Sequence, residues 1–182
     1  MAYRDNQPFN NNHLRPCPML ENPEYLRASL ESILVQTRTA DEILLIEDGP
    51  LTQELYQVVA EYQKKCDYLH VHAMEQNVQL GRALAKGVEL CQYDLIARMD
   101  TDDIAMPDRL EKEGAYMEAH PEVDVVGGAI REFNDEGTID RVKNMPKTQE
   151  AILEYVKVRN PLNHMTVMYR KDSILKAGNY KH

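Results

Sequence analysis

Between Pro23 and Met99 the chain switches repeatedly between helical and extended periodicity, and that alternation leaves few folds open. Tyr25, Leu26, Leu30, Ile33 and Leu34 recur at helical spacing behind Asn22-Pro23, and proline suits a first helical turn. Glu42 to Ile46 (EILLI) is a short apolar run that ends at the turn signature Glu47-Asp48-Gly49-Pro50. A second helix carries Leu51, Leu55, Val58, Val59 and Tyr62 on one face, and Tyr68 to His72 reads as the next strand. Leu80 to Cys91 forms a third helix with Leu80, Leu84, Val88 and Cys91 inward, and Asp94 to Met99 a third strand. Helices alternating with short apolar strands predict an α/β fold: a mostly parallel sheet flanked by helices, in three layers. In such sheets ligands sit beyond the carboxyl ends of the strands.

The later chain follows the same manner. A helix runs from Pro107 to about His120, and Val123 to Ile130 (VDVVGGAI) reads as a strand. Residues 134–147 are polar and turn-rich. Thr148 to Val158 forms a helix with Ile152, Tyr155 and Val156 inward, His164 to Arg170 alternates like a strand, and Gly178 ends a last helix from Lys171. Residues 1–22, rich in Asn and Pro, read as irregular, so one domain is expected over residues 23–182.

With 182 residues and 43% apolar side chains, the chain can build a core. Its formal charge of −9 disfavours nucleic acid and anionic membrane surfaces as non-specific partners. Cys17, Cys66 and Cys91 fit neither a disulfide framework nor a zinc pattern, which suits a reducing compartment. No apolar stretch is long enough to span a bilayer, and the N-terminus lacks an apolar signal core. These features together predict a cytoplasmic protein.

The stretch ARMDTDDIAMPDRL, residues 97–110, sends an apolar strand straight into Asp100, Asp102 and Asp103. Carboxylates buried together need neutralisation, and Mg²⁺ or Mn²⁺ supplies it through oxygen ligands. In an extended segment Asp100 and Asp102 point to one side, with Asp103 turned away or starting the next turn. The alternative is an acidic turn that caps the helix after Pro107, although one capping residue would suffice for that. Arg98 can pair with a carboxylate or a phosphate, or lie on the solvent side of its strand. His164 can line a ligand pocket or serve as a satisfied structural histidine. Asp48, Asn77 and Gln79 also fit plain turn chemistry.

ARMDTDDIAMPDRLEK resembles the D-x-D segment of family 2 glycosyltransferases with the Rossmann-like GT-A fold. NPEYLRASLESILVQT, DEILLIEDGP, NVQLGRALAKG, VDVVGGAIREF, NPLNHMTVMYRK and ILKAGNY resemble further family segments in the same order, nearest to bacterial polysaccharide-assembly transferases of the amylovoran or capsule type. The resemblance covers roughly residues 22–182. It implies metal-dependent, inverting transfer of a sugar from a nucleotide sugar, usually a UDP-sugar, to a saccharide or lipid-linked acceptor. Asp102 would hold Mn²⁺ or Mg²⁺, and Asp100 would contact the ribose or the metal's outer shell. Glu47 and Asp48 would meet the nucleobase, Asn77 and Gln79 would line its pocket, Arg98 would lie on the nucleotide side, and His164 would face the acceptor. The acceptor would bring the protein to the inner face of a bacterial membrane.

Two stretches depart from the family pattern. NNHLRPCPML stands where an apolar first strand is expected, and its two prolines make a poor central strand. A missing strand would leave an edge open to pairing between chains, hence a homo-oligomer. The family's carboxylate base follows the turn that AGNYKH resembles, so the general base is expected beyond His182 and none within the chain. A truncated or degenerate nucleotide-binding or scaffold protein without transfer is the alternative. A phosphohydrolase of the haloacid-dehalogenase type, with Asp100 as nucleophile, places its D-x-D on the first strand. A calcium loop fails because Ile104 and Pro107 would fall at ligand positions.

Overall fold

The first two helices begin where their chemistry predicts. In α1 (Pro23–Leu34) the Glu24 amide donates to the Asn22 side chain at 2.9 Å, with proline in the first turn. In α2 (Gln53–Lys65) the Leu55 amide donates to Thr52 Oγ1 at 3.4 Å. The structure is a computed structural model and describes residues 22–134 and 140–181. The expectation of an irregular N-terminal segment, Asn22 apart, lies outside the described residues.

The order continues as β1 (Ile43–Glu47), before α2, then β2 (Leu69–Ala73), α3 (Leu80–Leu90), β3 (Leu95–Ala97) and α4 (Arg109–Ala119). After these come β4 (Val125–Val126), β5 (Ile130–Phe133), β6 (Asp140–Lys143), α5 (Gln149–Tyr155), β7 (Met168–Arg170) and α6 (Lys171–Lys176). The α/β alternation is therefore real, with boundaries moved by a residue or two.

Among the described residues the strand pairing is mixed. β1 and β2 are parallel, from Ile43 opposite Leu69 to Glu47 opposite Ala73. β3 instead pairs antiparallel with β7, which also pairs antiparallel with β4. β7 reaches β3 from far along the chain, and no local periodicity reports such a partner. Among the described residues a channel of about 300 Å³ is lined by residues of both β1 and β3. Its walls include Leu44, Ile46, Leu84, Val88, Ile96 and Ala97. Leu26, Leu30, Leu55, Val58, Val59 and Tyr62 pack on β1 and β2, whereas Leu110, Met117 and Met168 pack around β3 and β4.

Several local expectations need correction. VDVVGGAI is two strands, because Gly127-Gly128 leaves the ladder: the Gly128 amide donates to Thr166 Oγ1 at 2.9 Å, and its carbonyl accepts from Asn163 Nδ2 at 3.0 Å. Part of the polar 134–147 stretch is β6, paired with β5. Its residues are all exposed, so no apolar alternation announced it; cross-strand pairs Arg131–Asp140 and Arg141–Glu132 accompany the ladder. His164 begins a 3₁₀ turn, not a strand, and only Met168–Arg170 is extended. Leu80 and Val156, expected inward, are exposed. No helix among the described residues is long and apolar enough to cross a membrane.

Candidate nucleotide and metal site

The turn after β1 is built to hold one acidic side chain still. Asp48 Oδ1 accepts the Val78 amide at 2.6 Å, while Oδ2 is buried with no hydrogen-bond partner among the described residues. Gly49 has φ +95°, and a Cβ there would stand 2.8 Å from the Asn77 nitrogen, so only glycine lets the two loops touch. The Met74 amide donates to the Glu47 carbonyl at 2.8 Å and ties the loops again. Asn77 Oδ1 accepts the Gln79 amide at 3.1 Å, and Gln79 carries φ 75°. A non-glycine residue in such a conformation costs roughly 1–3 kcal/mol, which the surrounding contacts must hold in place. Glu47 is buried, and burial raises its carboxyl above the ordinary range. Glu47, Asp48, Asn77 and Gln79 thus form one constellation.

A second constellation follows β3. The Arg98 amide donates to the Val167 carbonyl at 2.8 Å, which carries the strand direction one residue past Ala97. The Arg98 side chain is 5% exposed, and both of its terminal nitrogens donate to the Asp100 carboxylate, Nη1 at 2.8 Å. Of the options open to Arg98, the structure therefore places it on a carboxylate. The chain then turns, with the Asp103 amide donating to the Asp100 carbonyl at 3.3 Å. That turn overrides the alternation expected of an extended segment. Asp103 is not directed away: ligand oxygens of Asp100, Asp102 and Asp103 all lie within 4.8 Å of one another.

The capping alternative for these aspartates fails, since α4 begins at Arg109 and its cap position is Asp108. Burial, with repulsion from Asp100 and Asp102 added, pushes Asp103 up to about 6. Carboxylates crowded in this way suit a hard divalent cation such as Mg²⁺ or Mn²⁺, and the donors are all oxygen. The residues present therefore fit such an ion.

Sequence reading by apolar stripes missed what holds this loop. Ser29 Oγ donates to the Asp100 carbonyl at 3.1 Å, and the Ala105 amide donates to Ser32 Oγ at 3.0 Å. Gln36 Nε2 donates to the Met106 carbonyl at 2.8 Å, while its Oε1 accepts the Leu110 amide at 3.0 Å. Ser29, Ser32 and Gln36 are all buried. Their spacing of three and four residues was the available signal: a polar stripe beside the apolar one of α1.

Among the described residues, His164 makes no hydrogen bond to either turn. Its Nε2 lies 3.1 Å from Tyr180 Oη, and burial, then the Arg98 charge, holds it below the ordinary histidine range.

A family model described as glycosyl transferase family 2 matches residues 17–177. The chain belongs to glycosyl transferase family 2. This family 2 chain is 43% identical over 162 residues to the amylovoran biosynthesis glycosyltransferase AmsE of Erwinia amylovora, covering 89% of the chain and 60% of that relative. It is 33% identical over 166 residues to an Escherichia coli UDP-Gal:alpha-D-GlcNAc-diphosphoundecaprenol beta-1,3-galactosyltransferase, covering 88% and 58%. It thus spans about 60% of the length of such relatives. Among solved structures, S. aureus TarS 1–349 matches with TM-score 0.67 at 19% identity, covering 87% of the chain and 47% of that 1–349 chain. The Pyrobaculum calidifontis mannosyltransferase PcManGT, solved with GDP-Man and Mn²⁺, matches at 0.64 and 12% identity, covering 88% and 44%. The GT-A architecture expected of the chain is therefore its fold.

Proposed function

We propose that the chain is the nucleotide-sugar-binding part of a bacterial polysaccharide glycosyltransferase that uses a UDP-sugar and a divalent cation. The carrying observation is the set of Asp100, Asp102 and Asp103 oxygens gathered within 4.8 Å at the end of β3. In this reading Asp102 and Asp103 hold Mn²⁺ or Mg²⁺, with Asp100 beside them in the grip of Arg98. A bound divalent cation supplies electrostatic stabilisation of a nucleoside diphosphate leaving group.

The remaining roles belong to the chain's own groups. Asp48 is anchored through Oδ1 and keeps Oδ2 as an acceptor for a nucleobase N–H, as a uracil would present. Asn77 and Gln79, fixed by their own turn, line the base. His164, kept neutral near pH 7 by its surroundings, lies on the acceptor side. Transfer is inverting: an acceptor hydroxyl attacks opposite the leaving diphosphate and gives up its proton to a general base. The acceptor is a saccharide or lipid-linked saccharide, as the name of the galactosyltransferase relative suggests, met at the cytoplasmic face of the membrane.

Thermal melting with competing nucleotides tests the donor. Binding at a hundredfold excess over Kd stabilises by about 2.7 kcal/mol, which is several degrees of melting temperature. UDP with Mn²⁺ is expected to give that shift, and GDP and ADP a smaller one. Equal shifts for all three nucleotides would remove the uracil assignment; no shift with any would remove nucleotide binding.

A further inference from the structure

We infer that β1 and β3 border an open strand slot, a docking site for an extended apolar segment of another polypeptide. The directions of the ladder hydrogen bonds carry this. At β1 the Ile43 amide donates to the Tyr68 carbonyl at 2.9 Å, and the Glu47 carbonyl accepts the Met74 amide at 2.8 Å. Ile43, Leu45 and Glu47 therefore turn their backbone groups toward β2, and Leu44 and Ile46 turn theirs away. At β3 the Asp94 carbonyl accepts the Lys171 amide at 2.8 Å, and the Arg98 amide donates to the Val167 carbonyl, also at 2.8 Å. In an antiparallel ladder such pairs recur at every second residue. Asp94, Ile96 and Arg98 thus face β7, and the backbone groups of Leu95 and Ala97 point the other way. Among the described residues no strand pairs with the outer edge of β1 or of β3.

Leu44, Ile46, Leu95 and Ala97 all line the same channel of about 300 Å³. All four are only half-buried, where the middle of a complete sheet would be covered. Backbone amides and carbonyls in an apolar setting need partners. Leu30 and Ile33 of α1 and Leu84 and Val88 of α3 make the surrounding wall apolar. These features define the occupant as one strand. Its backbone groups alternate between two neighbours, and its side chains are apolar. A two-stranded sheet such as β1–β2 is marginal alone, and a strand added here gains a ladder on each side. The stretch of this chain that leads into α1 is chemically unsuited, because Pro16 and Pro18 cannot donate. Two residues apart, both would face one edge and leave its carbonyls unpaired. Arg98, Asp100 and Thr101 also line the channel, so a docked strand reaches the aspartate turn.

The probe is a synthetic peptide of alternating valines and isoleucines between lysine ends. It is titrated into the full chain by calorimetry, without metal or nucleotide, so the result is independent of the cation reading. Two control peptides accompany it. One has the same sequence N-methylated at two alternate apolar residues, which removes donors toward one edge. The other copies residues 13–20 with their two prolines. Amide exchange is followed by NMR in parallel. In the chain alone, the amides of Leu44, Ile46, Leu95 and Ala97 should exchange faster than those of Leu45, Glu47, Ile96 and Arg98, which the ladders already bond. The unmodified peptide should bind and slow the first four selectively. The N-methylated peptide should bind at least about tenfold more weakly, the effect of two lost hydrogen bonds, and the 13–20 peptide should also bind more weakly. No binding of the apolar peptide would overturn the proposal. Equal binding of the N-methylated peptide would reduce the slot to an apolar pocket and overturn it as well. So would equal binding of the 13–20 peptide, or four amides already as protected as their neighbours in the chain alone, since the chain would then fill the slot itself.

Discussion

Asp102→Ala is expected to lower Mn²⁺-dependent UDP affinity by about 30- to 100-fold while leaving the fold intact. At 1.4 kcal/mol for each tenfold, that range is about 2–3 kcal/mol. The loss is large because Asp102 is the exposed member of a cluster whose other two carboxylates are constrained. Asp100 is held by Arg98, and Asp103 is buried. Asp102 is thus the most solvent-accessible of the three to an incoming ion. Stability should barely change, because exposed substitutions away from caps and networks usually fall within about 0.5 kcal/mol. Asp108→Ala is the control: it removes another acidic side chain, ion-paired with Lys112, outside the cluster. Calorimetry with UDP at fixed Mn²⁺ and urea denaturation measure both arms. Full UDP affinity in Asp102→Ala would remove the residue from the site.

The metal-free chain should lose stability as pH rises from 5 to 7.5, and Mn²⁺ should flatten or reverse the trend. Burial lifts Asp103 to about 6, against an ordinary value of 3.8. Between those values the folded state binds a proton that the unfolded state does not, so stability falls as pH rises through the window. The whole shift corresponds to on the order of 2–3 kcal/mol, or several degrees for a domain of this size. Burial also raises Glu47 and Glu113, which adds to the slope in the same direction, whereas His164, held below the ordinary histidine range, opposes it with a smaller contribution. A bound cation prefers the ionised carboxylates, so its stabilisation grows with pH. Melting curves at pH 5, 6 and 7.5 in EDTA and in Mn²⁺ read this directly. Asp103→Asn should remove most of the slope, leaving the opposed parts due to the two glutamates and His164. A chain more stable at pH 7.5 than at pH 5 in EDTA would contradict the burial argument.

What the sequence revealed follows from which signals are local. Helices α1 to α4 and strands β1 to β3 were legible because caps, prolines and apolar spacing act within a few residues. Pairing was not: β3 meets β7 some seventy residues later, and nothing in Leu95-Ile96-Ala97 encodes that partner. β6 was invisible because its stabilising features are charge pairs across the hairpin and not apolar alternation. At the site, the aspartates stood out by composition, but their geometry turned on one backbone hydrogen bond that makes a turn where an extended segment was expected. The serines of α1, and Gln36 just beyond it, escaped notice because buried polar residues look like solvent-facing ones until their partners are known. Arg98 had equally good alternatives in sequence, and only the folded strand chose between them.

The most direct measurement is calorimetric titration of UDP into the chain with Mn²⁺ present, followed by the same titration in EDTA. The account expects saturable binding with Mn²⁺ and at least a tenfold loss in EDTA, a difference of about 1.4 kcal/mol or more. Equal binding in both, or none in either, would contradict the claim that the aspartates after β3 hold a cation for a nucleoside diphosphate.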